Sequence, residues 1–304
     1  MLIQAAESYL AVRRALGFQL KMEGHFLLSF ARFSHQKGIE FVGSKLAVEW
    51  AALGSSSAQR ARRLGVVTRF ARYVRAEDER HEIPPTGPFG SEWRQRPVPF
   101  IFSSDDIRSL VETASELGPA GSLRPITFST LFALLACTGL RVSEAIGLCL
   151  HDVTWDGLRI RESKFRKSRL VPLHKTAAVG LQNYLQKRQL VAASTDRVFI
   201  SIQGEPLRYK NVGATFRTII RAIRLTASAG RRGPTIHSLR HSFAVKALEA
   251  CPANRDQITK HMLALSTYLG HGSVAATYWY LQATPNLMMD IAAACQDFMN
   301  GGDR

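Results

Sequence analysis

Apolar residues recur at helical spacing through the N-terminal part of the chain. This spacing is typical of amphipathic helices that bury one face. Four helices are predicted, with apolar positions at Leu10, Val12 and Leu16; at Phe26, Leu27, Phe30 and Phe33; within 46–53; and at Leu64, Val67, Phe70 and Val74. Serines ahead of the fourth helix supply a hydroxyl N-cap. Residues 1–82 are therefore predicted to form an all-helical domain.

The helical pattern stops after this domain. Residues 83–100 are rich in proline and glycine and show no helical period, which is typical of a linker. A second domain is then predicted over residues 101–304, with a last helix that begins at about residue 285.

The second domain mixes helices with a short alternating segment. SSDDI, from Ser103, opens a helix with a hydroxyl cap and an acidic first turn. ITFSTLFALLACTGL predicts a buried helix that ends at Gly139, and RVSEAIGL begins another. DVTWDGLRIRES and RKSRLVPLH alternate around an Asp156-Gly157 turn, which predicts a small antiparallel sheet. From about Thr176 onward the pattern is mostly helical, so the predicted fold class is mainly α.

The charge of the chain gives a first indication of its function. Forty Lys and Arg stand against 24 Asp and Glu among 304 residues, a net charge of +16 with a pI of about 10.2. Residues 1–98 carry +6 and residues 99–304 carry +10. A polyanionic partner would use such an excess, with nucleic acid ahead of membrane surfaces and heparin-like polymers. Because both parts are basic, both are expected to contact the same polyanion.

Two basic segments are candidate phosphate contacts. The fourth helix carries six arginines, of which Arg60, Arg63 and Arg72 are the chosen candidates for a helix that lies along a phosphate backbone. The hairpin segment SKFRKSRLVPL adds Arg166, Lys167 and Arg169. Solvated basic surfaces would carry the same residues, and that alternative stays open for both segments.

Other compositional signals exclude several classes of protein. The four cysteines, Cys137, Cys149, Cys251 and Cys295, lack CxxC or zinc-like spacing and are expected to be buried small apolar residues in a reducing compartment. No metal or cofactor site is predicted. The N-terminus lacks the order of a signal peptide, and no run of 18 apolar residues occurs. A cytoplasmic protein, nucleoid-associated when on DNA and without a membrane partner, is expected.

Candidate chemistry comes from separated segments. Arg141 follows the Thr138-Gly139 break at the first turn of a helix, where backbone amides favour a phosphate. Pairing of Arg141 with Glu144 is the alternative reading of this arginine. IHSLRHSFA places His237 and Arg240 three residues apart on one helix face, which an ordinary surface pair would also explain.

In order along the chain, TGLRVSEAIGL, SKFRKSRLVPL, HSLRH and LGHGSVAATYWY span residues 138–280. In order and spacing they resemble the motifs of the tyrosine recombinases, the phage-integrase family that includes Xer-type and Cre-type enzymes. The resemblance implies a C-shaped clamp of two domains: an N-terminal core-binding, SAM-like helical domain, and a helical catalytic domain with a small antiparallel sheet. Many relatives have a histidine just after the tyrosine, whereas this chain has YLQATP, a departure that fits a subgroup of the family.

The same resemblance implies a role for each matching residue. Arg141 and Arg240 would hold the non-bridging oxygens of a scissile phosphate, and Lys164 would be a general acid towards the leaving 5′ oxygen. The histidines of the HxLRH and LGH motifs are His237 and His271. The nucleophile, nine residues beyond the second of these, would be Tyr280. Neighbouring aromatic residues, Tyr268, Tyr278 and Trp279, are expected to be packing residues.

The implied function is site-specific recombination without metal or cofactor. Tyr280 would form a 3′-phosphotyrosyl link, and two strand exchanges would pass through a Holliday junction, as for an integrase borne by a mobile element or a bacterial chromosome. A type I topoisomerase and a catalytically inactive DNA-binding accessory protein are the alternatives.

The implied partners are double-stranded DNA with a specific recombination site and three further copies of the chain, as a tetramer on that DNA. A second recombinase and an accessory DNA-bending protein are further candidates. The last helix would dock either onto its own domain or into a neighbouring protomer.

Overall fold

A computed structural model describes residues 1–90, 98–161, 168–227, 233–250, 255–270 and 275–280, without the side chains of 255, 256, 275 and 276. The chain divides into two compact units, Met1–Arg96 and Pro97–Arg304. Among the described residues, no helix is both long enough and apolar enough to cross a membrane.

The described part of the first unit consists of helices, as the apolar spacing predicts. They are α1 (Leu2–Ala15), α2 (Lys21–Gln36), α3 (Ser44–Ala52) and α4 (Ser57–Val74). Ser56 caps α4, since its side chain accepts a hydrogen bond from the backbone N–H of Gln59. Phe30, Trp50 and Phe70 are fully buried, and the rings of Phe30 and Trp50 meet edge to face with centroids 5.5 Å apart. This apolar core positions the arginine-bearing helix α4.

The described part of the second unit is also mainly helical. Its helices are α5 (Ser104–Ser115), α6 (Arg124–Thr138), α7 (Val142–Gly147), a 3₁₀ turn (Leu150–Asp152), α8 (Lys175–Arg188), α9 (Tyr209–Ala222), α10 (Ile236–Glu249), α11 (Arg255–Leu269) and α12 (Ala275–Tyr278). The predicted capping box of α5 is present, with Ser103 and Asp106 each accepting a hydrogen bond from the other's backbone N–H. The mainly α prediction is confirmed.

The predicted small antiparallel sheet is confirmed as well. It has the order β1 (Val153–Thr154), β2 (Gly157–Ile160) and β3 (Arg169–Val171). Leu158 is opposite Val153 on one side and Val171 on the other, so the register is that of two successive hairpins. The strand β3 brings Arg169 back towards the helices.

Helix α6 is the centre of the second unit. It packs against α5, α8 and α10, and the ring of its buried Phe132 meets that of Phe216 edge to face, with centroids 5.8 Å apart. The helix ends at Gly139, whose φ of 61° lies in the left-handed region that favours glycine. A Cβ at this position would lie 2.5 Å from the Phe243 ring of α10. Only glycine therefore lets α6 end this close to α10.

Substitution of Gly139 by alanine is predicted to destabilise the second unit. The left-handed backbone costs about 1–2 kcal/mol for a residue with a Cβ, and the contact with Phe243 adds about 1–3 kcal/mol for overpacking. Calorimetry of the full chain would measure the change. Gly180→Ala is the matched control, because that helical glycine has open space around it, and alanine there should stabilise by up to about 1 kcal/mol. Equal stability of the two variants would contradict the prediction.

Candidate active site

Among the predicted site residues that the structure describes, Arg240 is the most buried. It lies in the first turns of α10 and is only 2% exposed. One terminal nitrogen, Nη1, donates to the carbonyl oxygen of Gly139 at 2.7 Å, and the other, Nη2, donates to that of Leu269 at 2.6 Å. The guanidinium therefore joins the end of α6 to the end of α11. Its orientation is fixed by two backbone groups.

Arg141 lies beside this joint as the N-cap residue of α7, one position ahead of the predicted first turn. Its Nη1 donates to Glu144 Oε1 at 2.7 Å, and its Nη2 donates to the carbonyl oxygen of Gly270 at 3.1 Å. The pairing with Glu144 that the sequence left open is thus present. It holds the guanidinium in place, and the side chain stays 23% exposed, which leaves it accessible to an anion.

Arg169 corrects an expectation, because its side chain is only 10% exposed instead of lying on the surface. Its two terminal nitrogens donate to the two carboxylate oxygens of Glu144, at 3.1 and 2.9 Å. Its Nε donates to the carbonyl oxygen of Tyr268 at 2.6 Å. All three guanidinium nitrogens of Arg169 donate to protein acceptors, two of them to a carboxylate that a phosphate would have to displace, so we do not count Arg169 among the phosphate contacts. We assign it a structural role.

Three arginines from three different elements therefore bond to three consecutive carbonyl groups. Arg169 bonds to residue 268, Arg240 to residue 269 and Arg141 to residue 270, where α11 ends. The C-terminal end of a helix carries partial negative charge and unpaired carbonyls, which attract cations. Glu144 is the carboxylate that bridges two of the three guanidiniums. This carbonyl cluster, residues 268–270, assembles the basic part of the site.

The electrostatics of the cluster favour an added anion. Desolvation by burial, together with the nearby charge of Arg141, lowers the pKa of Arg240 to about 10. Burial alone would raise the pKa of Glu144, but the hydrogen bonds from Arg169 and from the backbone N–H of Arg141 outweigh it, and the pKa lies below its ordinary value. One carboxylate thus faces three guanidiniums. A phosphate bound there would relieve the repulsion between them.

His237 and Tyr280 both contact His241. The His237 and His241 rings meet edge to face, with centroids 4.5 Å apart, and His241 Nδ1 is 3.3 Å from the Tyr280 hydroxyl oxygen. Although His237 is exposed, desolvation by the surrounding protein and the charges of Arg240 and Arg141 lower its pKa to about 4. His237 is therefore neutral at neutral pH.

Tyr280 lies deep in the protein. It is 3% exposed and packs with a small cluster from α10 and α11 that includes Val245, Met262 and Leu265. In its ionised form the Tyr280 phenolate would raise the pKa of Arg240, so the phenol and the guanidinium are close enough to interact electrostatically.

Three aromatic residues near Tyr280 were expected to pack. Tyr268 stacks on Phe243 and Trp279 packs against His241, in line with that expectation. For Tyr278 the expectation is wrong, since 54% of it is exposed at the end of the short helix α12.

The remaining predicted site residues, Lys164, Arg166, Lys167 and His271, lie outside the described residues, as do the linker residues 91–97 and the last helix from about 285.

The candidate phosphate contacts on α4 differ in their placement. Arg60 Nε donates to the carbonyl oxygen of Gly54 at 2.8 Å, and the Arg63 guanidinium stacks on Trp50 at 4.0 Å from the ring centroid. Both arginines thus serve the unit's own packing, in contrast to the expectation. Arg72 is exposed, as is Arg69 one turn before it. These two share a face of α4 and are the better-placed pair.

The cysteine predictions need a correction. Cys137 is exposed on α6 and Cys149 is half-buried, so the expected burial is wrong for Cys137. Cys251 and Cys295 lie outside the described residues.

Folding also brings Cys149 close to His151 and Asp152, with potential metal ligands within 4.8 Å of one another. Arg161 Nε contacts Asp152 at 2.6 Å, and Arg197 Nη1 contacts the Cys149 sulfur at 3.4 Å. Because a guanidinium already contacts each of these two ligands, binding of a metal cation by this cluster is disfavoured.

Comparison with known proteins decides the family. Residues 101–286 match the phage integrase family. The chain belongs to that family. A putative integrase/recombinase, y4rB of Sinorhizobium fredii, is 38% identical over 94% of both chains. Tyrosine recombinase XerD of Brucella suis is 28% identical over 76% of this chain and 73% of that one. A lambda integrase tetramer bound to a Holliday junction has a similar fold, with a TM-score of 0.65 and 17% identity over 91% of this chain and 76% of that one.

These matches confirm the resemblance seen in the sequence. The chain is a tyrosine recombinase by family, and the enzymes of this family are site-specific DNA recombinases. The expected class of enzyme is thereby confirmed. The arginine cluster and Tyr280 lie within the matched residues.

Glu144→Gln is predicted to destabilise the second unit at neutral pH by about 3 kcal/mol, because it leaves two buried or half-buried guanidiniums without their carboxylate. The lowered pKa fixes the pH dependence. Ionised Glu144 contributes stability above its unfolded pKa of about 4.3, and that contribution is lost as the pH falls through the lower folded pKa. Calorimetry at a series of pH values should show wild type and variant converging in acid. The exposed Glu112→Gln is the control, and a constant difference across pH would count against the prediction.

Proposed function

We propose that this chain cleaves and rejoins DNA at a specific site, with Tyr280 as nucleophile and a 3′-phosphotyrosyl intermediate. The observation that carries the proposal is the pair of guanidiniums of Arg141 and Arg240, fixed on adjacent carbonyls and short of negative charge, with the Tyr280 phenol in the same electrostatic site. A phosphodiester supplies the missing charge, and a phenol supplies the oxygen that attacks it.

The proposed roles follow from where charge develops during attack. As the phenol oxygen bonds to phosphorus, negative charge builds on the non-bridging oxygens, where Arg141 and Arg240 would donate. Donors held in place before the reaction need no reorganisation, and loss of one costs about 10²–10³-fold in rate. Lys164 and His271 are proposed to complete the site, with Lys164 giving a proton to the leaving 5′ oxygen. Neutral His237 would add a hydrogen bond beside Arg240.

Exchange of two strands by this chemistry would join two duplexes through a Holliday junction. The lambda integrase tetramer on such a junction, which shares this fold, supports a proposed tetramer on DNA. Residues 1–82 are proposed as the core-binding domain and residues 101–304 as the catalytic domain, joined by a linker over 83–100, and both would contact the duplex. A second recombinase and a DNA-bending protein remain proposed partners, and association with the nucleoid would follow from DNA binding.

Covalent capture tests the nucleophile. Nicked suicide duplexes from the DNA that flanks the gene would be incubated with the protein and resolved on denaturing gels. Wild type is expected to form a protein–DNA adduct, and Tyr280→Phe none, because only the phenol oxygen can bond to phosphorus. Tyr278→Phe is the matched control, two residues away and exposed, and should retain the adduct. Tight binding by wild type without an adduct would contradict the proposal and favour the inactive accessory protein.

Salt titration tests the DNA-facing side of α4. Arg69→Gln and Arg72→Gln should each lower the slope of log affinity against log salt by roughly 0.9, the contribution of one phosphate contact. Arg63→Gln should leave the slope unchanged and destabilise the first unit by about 1 kcal/mol through loss of its stacking on Trp50. A slope that responds to Arg63 and not to Arg69 or Arg72 would contradict this assignment.

A further inference from the structure

One residue of the site has no role in the mechanism so far. His241 follows Arg240 on α10, and its Nδ1 lies 3.3 Å from the phenol oxygen of Tyr280. The imidazole is held between two rings, with the centroid of Trp279 at 4.9 Å and that of His237 at 4.5 Å. Among the described residues, this imidazole lies within hydrogen-bonding distance of the oxygen of the proposed nucleophile.

The chemistry of a phenol makes this neighbour significant. A phenol with a pKa of about 10 is mostly protonated at neutral pH and is a weak nucleophile unless a base takes its proton. The phenolic O–H can donate only if Nδ1 of His241 carries a lone pair, which requires the tautomer with hydrogen on Nε2. A neutral imidazole of that tautomer is a suitable proton acceptor at neutral pH.

The other histidine of the motif is a poorer acceptor. His237 lies next to Arg240 and Arg141, whose charges disfavour an added proton on its ring. The ring of His237 lies against that of His241, and it is His241 whose Nδ1 lies 3.3 Å from the Tyr280 hydroxyl oxygen. The helical spacing of the HSLRH motif thus gives its two histidines different neighbours: guanidiniums for the first and the phenol for the second.

We propose that His241 accepts the phenolic proton of Tyr280 during DNA cleavage, an inference that rests on the proposed function. In this step the Tyr280 oxygen bonds to phosphorus, the bond from phosphorus to the 5′ oxygen breaks, and the phenolic proton moves to Nδ1 of His241. The leaving 5′ oxygen takes its proton from the general acid, proposed as Lys164. In the rejoining step His241 returns the proton to the phenol.

Two variants separate proton acceptance from packing. His241→Asn places an amide near the position of Nδ1, so it can still accept a hydrogen bond but cannot take a proton. It should slow single-turnover capture by about 10²-fold. His241→Gly leaves room for added imidazole, and capture should recover in proportion to the basicity of a series of substituted imidazoles. His261→Asn is the matched control: this half-buried histidine bonds to the Ala247 carbonyl of α10 at 2.7 Å and should keep the wild-type rate.

A modified substrate separates the base from the acid. Sulfur in place of the bridging 5′ oxygen leaves without protonation, so it should restore capture by Lys164→Ala and not by His241→Asn. Three results would each overturn the inference. They are capture by His241→Asn at the wild-type rate, recovery of capture by His241→Asn on the sulfur substrate, and rescue of His241→Gly to an extent that does not depend on the basicity of the added imidazole. In those cases the adduct still depends on Tyr280. If wild type forms no adduct either, the proposed function fails and the inference falls with it.

The contact itself is measurable without DNA. In free protein carrying ¹⁵N-labelled histidine, the Nδ1 resonance of His241 is expected to be that of a nitrogen without hydrogen, and Tyr280→Phe should shift it. Tyr278→Phe should not. An Nδ1 resonance that carries hydrogen, or one that is indifferent to Tyr280, would overturn the inference.

Discussion

The C-terminal end of α11 is the constraint on which the site depends. Consecutive carbonyls of Tyr268, Leu269 and Gly270 accept hydrogen bonds from guanidiniums that come from β3, α10 and the start of α7. These elements are far apart in sequence. Because each arginine is bound to a neighbouring carbonyl, their mutual distances are set by the backbone spacing of one short segment, and the segment that follows leads directly to Tyr280.

This arrangement explains why so much positive charge can be gathered in a protein interior. A buried guanidinium is costly unless its donors are bonded and its charge is balanced. The helix end supplies partial negative charge to all three arginines, and Glu144 supplies a full charge to two of them. One carboxylate does not balance the charge of three guanidiniums, so the site of the free protein has an excess of positive charge. The proposed phosphodiester would supply the missing negative charge.

Local signals in the sequence predicted most of the fold. The capping box at Ser103, the glycine stop at Gly139 and the Asp156-Gly157 turn depend on neighbours within a few residues, so a linear pattern reveals them. The burial of Arg169 could not be predicted from local patterns. Its position in a basic hairpin suggested the surface, but its acceptors lie 25 and 99 residues away in the chain.

The same limit applies within the site. Motif order predicts Arg141, Arg240 and Tyr280 as site residues. The contact between His241 and Tyr280 joins residues 39 positions apart and cannot be read from the HSLRH motif alone. The predicted burial of Cys137 was wrong for a related reason. An apolar helix predicts burial, but only the packing of its neighbours shows which side of α6 stays uncovered.

The burial of Tyr280 has a consequence for fidelity. A phenol that is 3% exposed cannot touch a phosphate until the residues that cover it move, and uncovering such a side chain costs about 1.5–3 kcal/mol. That cost must come from DNA binding. DNA that binds too weakly to uncover the proposed nucleophile would then not be cleaved.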